Sequence, residues 1–305
     1  MTGINLYTPS QRQNSFMACE GVFPEQNPEL TLQPTYFNGT KWQLRRLCSN
    51  DFAILYSDRS KTPLLAIEKI SAKHLKANIK RTDEFYPDPR TPNKQQAKLS
   101  DYRGQNQIDR GHLAPAANAS SALAMAQSFA LSNIVPQNAD LNRGAWKKIE
   151  TDVRKYALRS KGDIYIITGV LFNGKIQKIG KNQVYKPSHL FKVVYDPKTN
   201  TSWAYLFENK AKQPIKQLSY QEFSKKTGIK FGFLEQGFST NSNALLGGLA
   251  TTLAIEQMTD YLPELPNVSE QTESLWESFK QKLYHLWNSL LKHIVGWLKA
   301  NDRNE

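Results

Sequence analysis

Asp109-Arg110-Gly111-His112 is the stretch of this chain best equipped for chemistry, and Leu141-Asn142-Arg143-Gly144-Ala145-Trp146 follows downstream, with Glu150 and Arg154 beyond it. An imidazole accepts a proton near neutral pH, because its ordinary pKa is about 6.5. A carboxamide oxygen is a neutral ligand suited to Mg²⁺, a cation that keeps most of its waters. Guanidinium groups neutralise anions. Hydrolysis of a phosphodiester calls on all three, since water must be deprotonated, the phosphate held and the departing oxygen stabilised.

Each residue also has a plainer explanation. A single histidine is usually structural. Arg110, however, precedes His112 by two positions, so both side chains leave a strand end on the same side. An asparagine in the first turn of a helix is more often a cap than a ligand. Glu150 and Arg154 follow Asn142 at about 80° and 120° round an ideal helix, so the three border one broad face. A solvent-facing helix with a Glu150–Arg154 ion pair explains that pair. It leaves Asp109–His112 unexplained.

The bulk numbers suit this chemistry. The chain has 305 residues, 39% of them hydrophobic and 22% charged, with a net charge of +13 and a pI of about 9.5. That is the composition of a globular protein of one or two domains, and it excludes disordered and collagen-like classes. The positive surplus favours polyanions such as nucleic acid, acidic lipid or acidic glycan. No apolar run approaches the roughly 20 residues of a membrane helix. Met1 to Ser15 is polar and lacks the apolar segment of a leader, which points to an intracellular chain or to one whose leader has been removed. Cys19 and Cys48 are the only cysteines and cannot build a cysteine-based zinc site alone. They are two buried thiols or one disulfide tethering the N-terminal arm to the first strand region. The second reading implies an oxidising compartment.

The elements that must position these residues are legible in outline. Residues 1–45 are rich in Pro, Asn, Gln and Thr and read as an irregular arm. Phe52–Tyr56 and Pro63–Lys69 read as a hairpin around Asp58–Lys61. Lys80–Asn93, with three prolines, is an extended loop, and Ile108–Ala114 a short strand entering a loop. Ser120–Phe129 is helix-forming. Asp140–Leu158 is the clearest helix, capped by Asp140, with Ala145, Trp146, Ile149, Val153, Tyr156 and Ala157 at helical spacing. Asp163–Gly169 is a buried-type strand, and His189–Tyr195 pairs with Ser202–Phe207. Ser219–Lys226 is a helix with Ser219 and Glu222 in capping-box spacing. Strands and helices mix without regular βαβ alternation, so the class is α+β. Ser269–Ala300 reads as a long amphipathic helix carrying Trp276, Leu283, Trp287, Leu290, Ile294 and Trp297. Its apolar stripe would pack on the body or on a second subunit, with docking to a membrane surface as the alternative.

Taken together, Asp109–Ala117, Ser128-Phe129, Leu131–Gln137, Leu141–Trp146 and Glu150 resemble the DNA/RNA non-specific endonuclease family, whose core is the ββα-metal or His-Me finger. The secreted bacterial sugar-non-specific nucleases and endonuclease G belong to that family. The resemblance covers roughly residues 45 to 235. It implies a central, mostly antiparallel sheet flanked by helices, here with a helical C-terminal extension. The expected organisation is an arm over residues 1–45, a nuclease domain over 46–238 and the extension over 239–305.

By the same resemblance His112 would be the general base. Asn142 would be the one direct protein ligand of Mg²⁺, with Mn²⁺ as a substitute, and Glu150 would hold metal waters. Arg110 and Arg154 would bind the scissile phosphate, Asp109 would order the loop or the metal waters, and Asn133 would stand just behind the site. An upstream arginine completes the set, Arg81 by preference and Arg90 otherwise. The implied activity is Mg²⁺-dependent, sequence-non-specific endonuclease cleavage of DNA, RNA or both, leaving 5′-phosphate and 3′-hydroxyl ends. A rival is a nucleic-acid-binding protein of the same fold that has lost turnover; it predicts a broken His or Asn position, and both are intact. Another is a membrane- or partner-docking protein with an accessory nuclease core. The cysteine pair favours a secreted or periplasmic location, with the cytoplasm as the alternative.

Overall fold

Seven strands in the order β1-β2-β3-β6-β9-β10-β11 form the central sheet, and every neighbouring pair is antiparallel. In this computed structural model residues 3–24, 37, 39–77 and 79–236 are described, and they all fall within the first of two units, Met1–Thr240 and Asn241–Glu305. The strands are β1 (Leu44–Cys48), β2 (Phe52–Ser57), β3 (Thr62–Ile70), β6 (Ile164–Leu171), β9 (His189–Asp196), β10 (Thr201–Glu208) and β11 (Gln217–Ser219). The expected Phe52–Lys69 hairpin and the pairing of 189–195 with 202–207 are both present. β3, β6 and β9 read as near-continuous apolar runs because both sheet faces are covered. The amphipathic stretch Ser269–Ala300 lies outside the described residues. No helix among the described residues is long and apolar enough to cross a membrane.

A second, two-stranded ribbon carries the chemistry-bearing motif. β4 (Ile108–His112) pairs antiparallel with β5 (Ile134–Asn138), with Asp109 opposite Gln137 and His112 opposite Ile134. Gly111 is required there, since a Cβ would collide with the Gln137 side chain across the ribbon. Between the two strands lies α1 (Ala122–Ser128), whose N-terminus is capped by the Ser121 hydroxyl. Another two-stranded ribbon, β7 (Gln177–Ile179) with β8 (Val184–Lys186), packs beside β5.

The chain leaves β5 directly into α2, which opens with Ala139–Leu141, widens into a π turn over Asn142–Trp146 and continues as Lys147–Arg159. Trp146, Ile149, Val153 and Ala157 are all buried against the sheet, so the periodicity reads correctly. Two local expectations fail. The cap is Asn138, whose side chain accepts from the Leu141 N–H, and not Asp140. The π turn also breaks the 100° step, so angles reckoned for an unbroken helix do not hold across Asn142. α3 (Tyr220–Thr227) carries the expected Ser219–Glu222 capping box and ends on Gly228 at φ 72°.

The N-terminal stretch is irregular in backbone yet contributes to the core. Phe16, Cys19, Val22, Phe23, Phe37 and Trp42 are buried in the same cluster as the sheet. Cys19 and Cys48 form a disulfide with Cα atoms 5.4 Å apart, which ties this stretch to β1.

Candidate active site

His112 sits at the end of β4 against two aromatic rings, Phe85 at 5.4 Å and Phe129 at 5.1 Å between centroids. Its Nε2 is buried and has no hydrogen-bond partner among the described residues. Burial pushes the imidazole pKa down to about 3, and the positive charges of Arg81 and Arg110 add to that against the opposing pull of Asp83. The ring is therefore neutral at pH 7, with the lone pair of one nitrogen unprotonated. Arg110 leaves the strand on the same side, as alternation requires, and its guanidinium lies 4.1 Å from the Phe85 centroid. Phe85 thus contacts both the His112 imidazole and the Arg110 guanidinium.

Asp109 points to the other side of β4 and reaches the start of α2. It accepts from Asn142 Nδ2 at 2.9 Å and from Arg143 Nε and Nη2 at 2.8 and 2.6 Å. Burial raises the Asp109 carboxyl pKa, but these bonds and the nearby guanidinium groups outweigh it and hold the group below its ordinary value. Asn142 spends its N–H on Asp109, so its amide oxygen is the end left for a cation. This is the fit a hard metal requires: a neutral oxygen donor, oriented by a bonded carboxylate, on a polar hollow. That hollow measures about 420 Å³ and is lined by Asp109, Arg110 and Asn142 together with Phe85, Tyr102 and Arg103. Among the described residues no cluster of three or more His, Cys, Asp or Glu could hold a metal. A cation bound through Asn142 would therefore keep most of its waters.

Glu150 and Arg154 lie further along α2. Burial raises the Glu150 pKa, opposed by Lys192, Arg154, the Trp146 indole N–H and Arg81. No ion pair joins Glu150 to Arg154 among the described residues. Arg154 instead donates to Thr151 Oγ1 at 3.1 Å and Asn118 Oδ1 at 3.5 Å. Arg81 is the cation whose field reaches both His112 and Glu150. It pairs with Asp83 at 2.6 Å and lies 5.0 Å from the Phe129 centroid. Arg90, the alternative, is buried in an ion pair with Asp88 at 2.6 Å and stacks 3.7 Å over Tyr7. Asn133 is fully buried. Its amide donates to Ala114 O and Ser128 O and accepts from Ala114 N, all at 2.9 Å, so it shapes the loop that follows His112.

Sequence reasoning passed over Glu68, Lys192, Asn118, Phe85 and a separate role for Arg143. Glu68 and Lys192 carry a visible signal, since each is a charge inside an apolar strand. Lys192 is buried on β9, bonded to Thr168 Oγ1 and 5.1 Å from the Trp146 ring. Burial lowers its pKa, while Glu150 and Glu68 oppose that. Burial raises Glu68 to about 7 against the pull of Lys192 and Asn118.

A β-ribbon feeding a helix, with an imidazole on the first strand and an amide oxygen at the helix start, defines the ββα-metal class of nuclease core. The sequence pattern of the DNA/RNA non-specific endonucleases matches residues 33–234, and the chain belongs to that family. Human mitochondrial nuclease EXOG is 34% identical over 207 residues, covering 60% of this chain and 56% of the relative. Human mitochondrial endonuclease G is 37% identical over 155 residues, covering 47% and 52%. The chain thus spans about half the length of these relatives. EndoG, solved as the EndoG/EndoGI complex, superposes with a TM-score of 0.56 at 24% identity over 68% of this chain and 91% of that one, a likeness of fold.

The secreted or periplasmic location expected from the cysteines is overturned by these relatives, which are mitochondrial nucleases, as is nuclease 1 of Schizosaccharomyces pombe. A disulfide reports local redox conditions and carries no address, so the inference from two cysteines to a compartment was too strong.

Proposed function

We propose that this chain is a Mg²⁺-dependent endonuclease acting on DNA, RNA or both with little base preference. One observation carries the reading. Asp109 takes up the amide N–H of Asn142 and leaves that amide's oxygen as its available end, while three positions on, past Arg110 and Gly111, the same strand carries His112 as a buried, neutral imidazole.

His112 takes a proton from water that attacks phosphorus in line. Arg110 and Arg154, with Arg81 beside His112, hold the phosphate and the charge that develops on its oxygens. Asp109 keeps the Asn142 amide in one orientation, and Glu150 accepts hydrogen bonds from waters at the site. Bound at Asn142, Mg²⁺ would supply positive charge to the departing 3′ oxygen. By resemblance to the family, the products would carry 5′-phosphate and 3′-hydroxyl ends. Contacts to phosphate dominate, so cleavage is weakly selective and strongly weakened by salt.

The test is digestion of supercoiled plasmid and of structured RNA with Mg²⁺, with and without EDTA, by the wild type and by His112→Ala. Cleavage that needs the metal and His112 supports the reading. Undiminished cleavage by His112→Ala overturns it.

A further inference from the structure

Arg154 is half-buried and is linked to the buried Glu68 carboxyl through a single intervening amide, that of Asn118. Glu68, on β3 and 2% exposed, uses one oxygen to accept from Asn118 Nδ2 at 3.0 Å, and its other oxygen is buried without a partner. The opposite end of the same amide, Asn118 Oδ1, accepts from Arg154 Nη1 at 3.5 Å. A carboxylate demands a donor and a guanidinium demands an acceptor, so only one of the two amide orientations satisfies both. The reverse orientation would set oxygen against carboxylate and N–H against guanidinium.

The backbone of Asn118 is fixed as firmly as its side chain. Its N–H donates to Pro115 O at 2.9 Å, and its carbonyl accepts from His74 Nε2 at 2.7 Å. His74 in turn lies 3.4 Å from Asp51 Oδ2, and Asp51 accepts from Ser120 N and Ser120 Oγ at 2.7 and 2.8 Å. Asn118 is only 3% exposed, in a 3-10 turn that follows the His112 strand. This turn is clamped from both sides, and one amide is inserted between the buried Glu68 carboxyl and the Arg154 guanidinium.

We infer that Asn118 is a positioning residue for Arg154, a neutral spacer that keeps the guanidinium from collapsing onto Glu68 and aims it at the scissile phosphate. A direct Glu68–Arg154 ion pair would draw the guanidinium into the core and consume the donors that phosphate needs. With the spacer in place, Arg154 commits one N–H to Asn118 and one to Thr151, leaving three of its five donors for substrate. The inference rests on the reading of Arg154 as a phosphate-binding residue.

The experiment is a double-mutant cycle on plasmid nicking, with Asn118→Leu, Arg154→Ala and the pair, each checked by circular dichroism and thermal melting. Asn118→Leu is expected to lower kcat about tenfold while KM stays within about twofold, because other basic groups still hold the polyanion. In the Arg154→Ala background the same change is expected to cost less than about twofold. Arg154→Lys replaces that background if Arg154→Ala falls below detection. Asn118→Ser, which leaves room for a water, carries the same comparison if the leucine variant does not fold. Equal losses in both backgrounds, or a loss confined to KM, would overturn the inference and leave the active-site reading standing. Full activity of Arg154→Ala itself would remove Arg154 from the site and overturn both.

Discussion

The low basicity of His112 makes a prediction that can be worked through in numbers. In the unfolded chain its imidazole titrates near about 6.5. In the folded protein burial, Arg81 and Arg110 hold it at about 3. Between those values the unfolded state binds a proton that the folded state does not, so stability rises with pH across the window. The penalty is absent above the unfolded value and grows as pH falls from about 6.5 toward about 3. At pH 5 the unfolded imidazole is about 1.5 units below its pKa, which amounts to about 2 kcal/mol relative to pH 7. Other groups titrate in the same range, so the comparison is with His112→Gln, which lacks the proton site and keeps a polar side chain. Urea unfolding in EDTA at pH 7 and pH 5 should show the wild type losing about 2 kcal/mol more than the variant. Parallel losses in the two proteins would refute the argument. A His112 ring resonance titrating near 6.5 in the folded protein would do so as well, since it would mean that the ring is solvated and not enclosed by Phe85 and Phe129.

Three further outcomes are expected. Asp109→Asn removes the carboxylate that orients Asn142, so the Mg²⁺ concentration for half-maximal nicking should rise about tenfold with little change in melting temperature, and an unchanged metal requirement would contradict this. Arg81→Ala should lower kcat and leave stability alone. Arg90→Ala should cost about 3–5 kcal/mol by stranding buried Asp88, read by urea melts beside nicking rates, and the opposite pattern would exchange their roles. Cys19→Ser should destabilise the fold by about 3–4 kcal/mol, as expected for a bond closing a loop of sequence separation 29. Nicking at low temperature should persist, because neither cysteine touches the site.

The linear order of residues determined a good deal by itself. Strand alternation placed Arg110 and His112 on one face, and both meet Phe85. Helical periodicity marked Trp146, Ile149, Val153 and Ala157 as the buried face of α2. The capping box at Ser219–Glu222 was legible because its bonds span only three residues. These are local rules, with partners a few positions apart.

Tertiary structure alone decided the rest, because its physics depends on groups far apart in the chain. Asp109 orients Asn142 across 33 positions, and Phe129 encloses His112 from beyond a helix. Asp88 and Tyr7 engage Arg90 in the core, a contact that no spacing along the chain announces. The first residues supply core side chains that show no sequence period, because they lie in short 3-10 segments and single helical turns too brief to repeat a pattern. Burial made His112 neutral, raised the Glu68 pKa and lowered that of Lys192 within an apolar sheet. Desolvation is a property of the assembled surroundings, and no reading of neighbours along the chain supplies it.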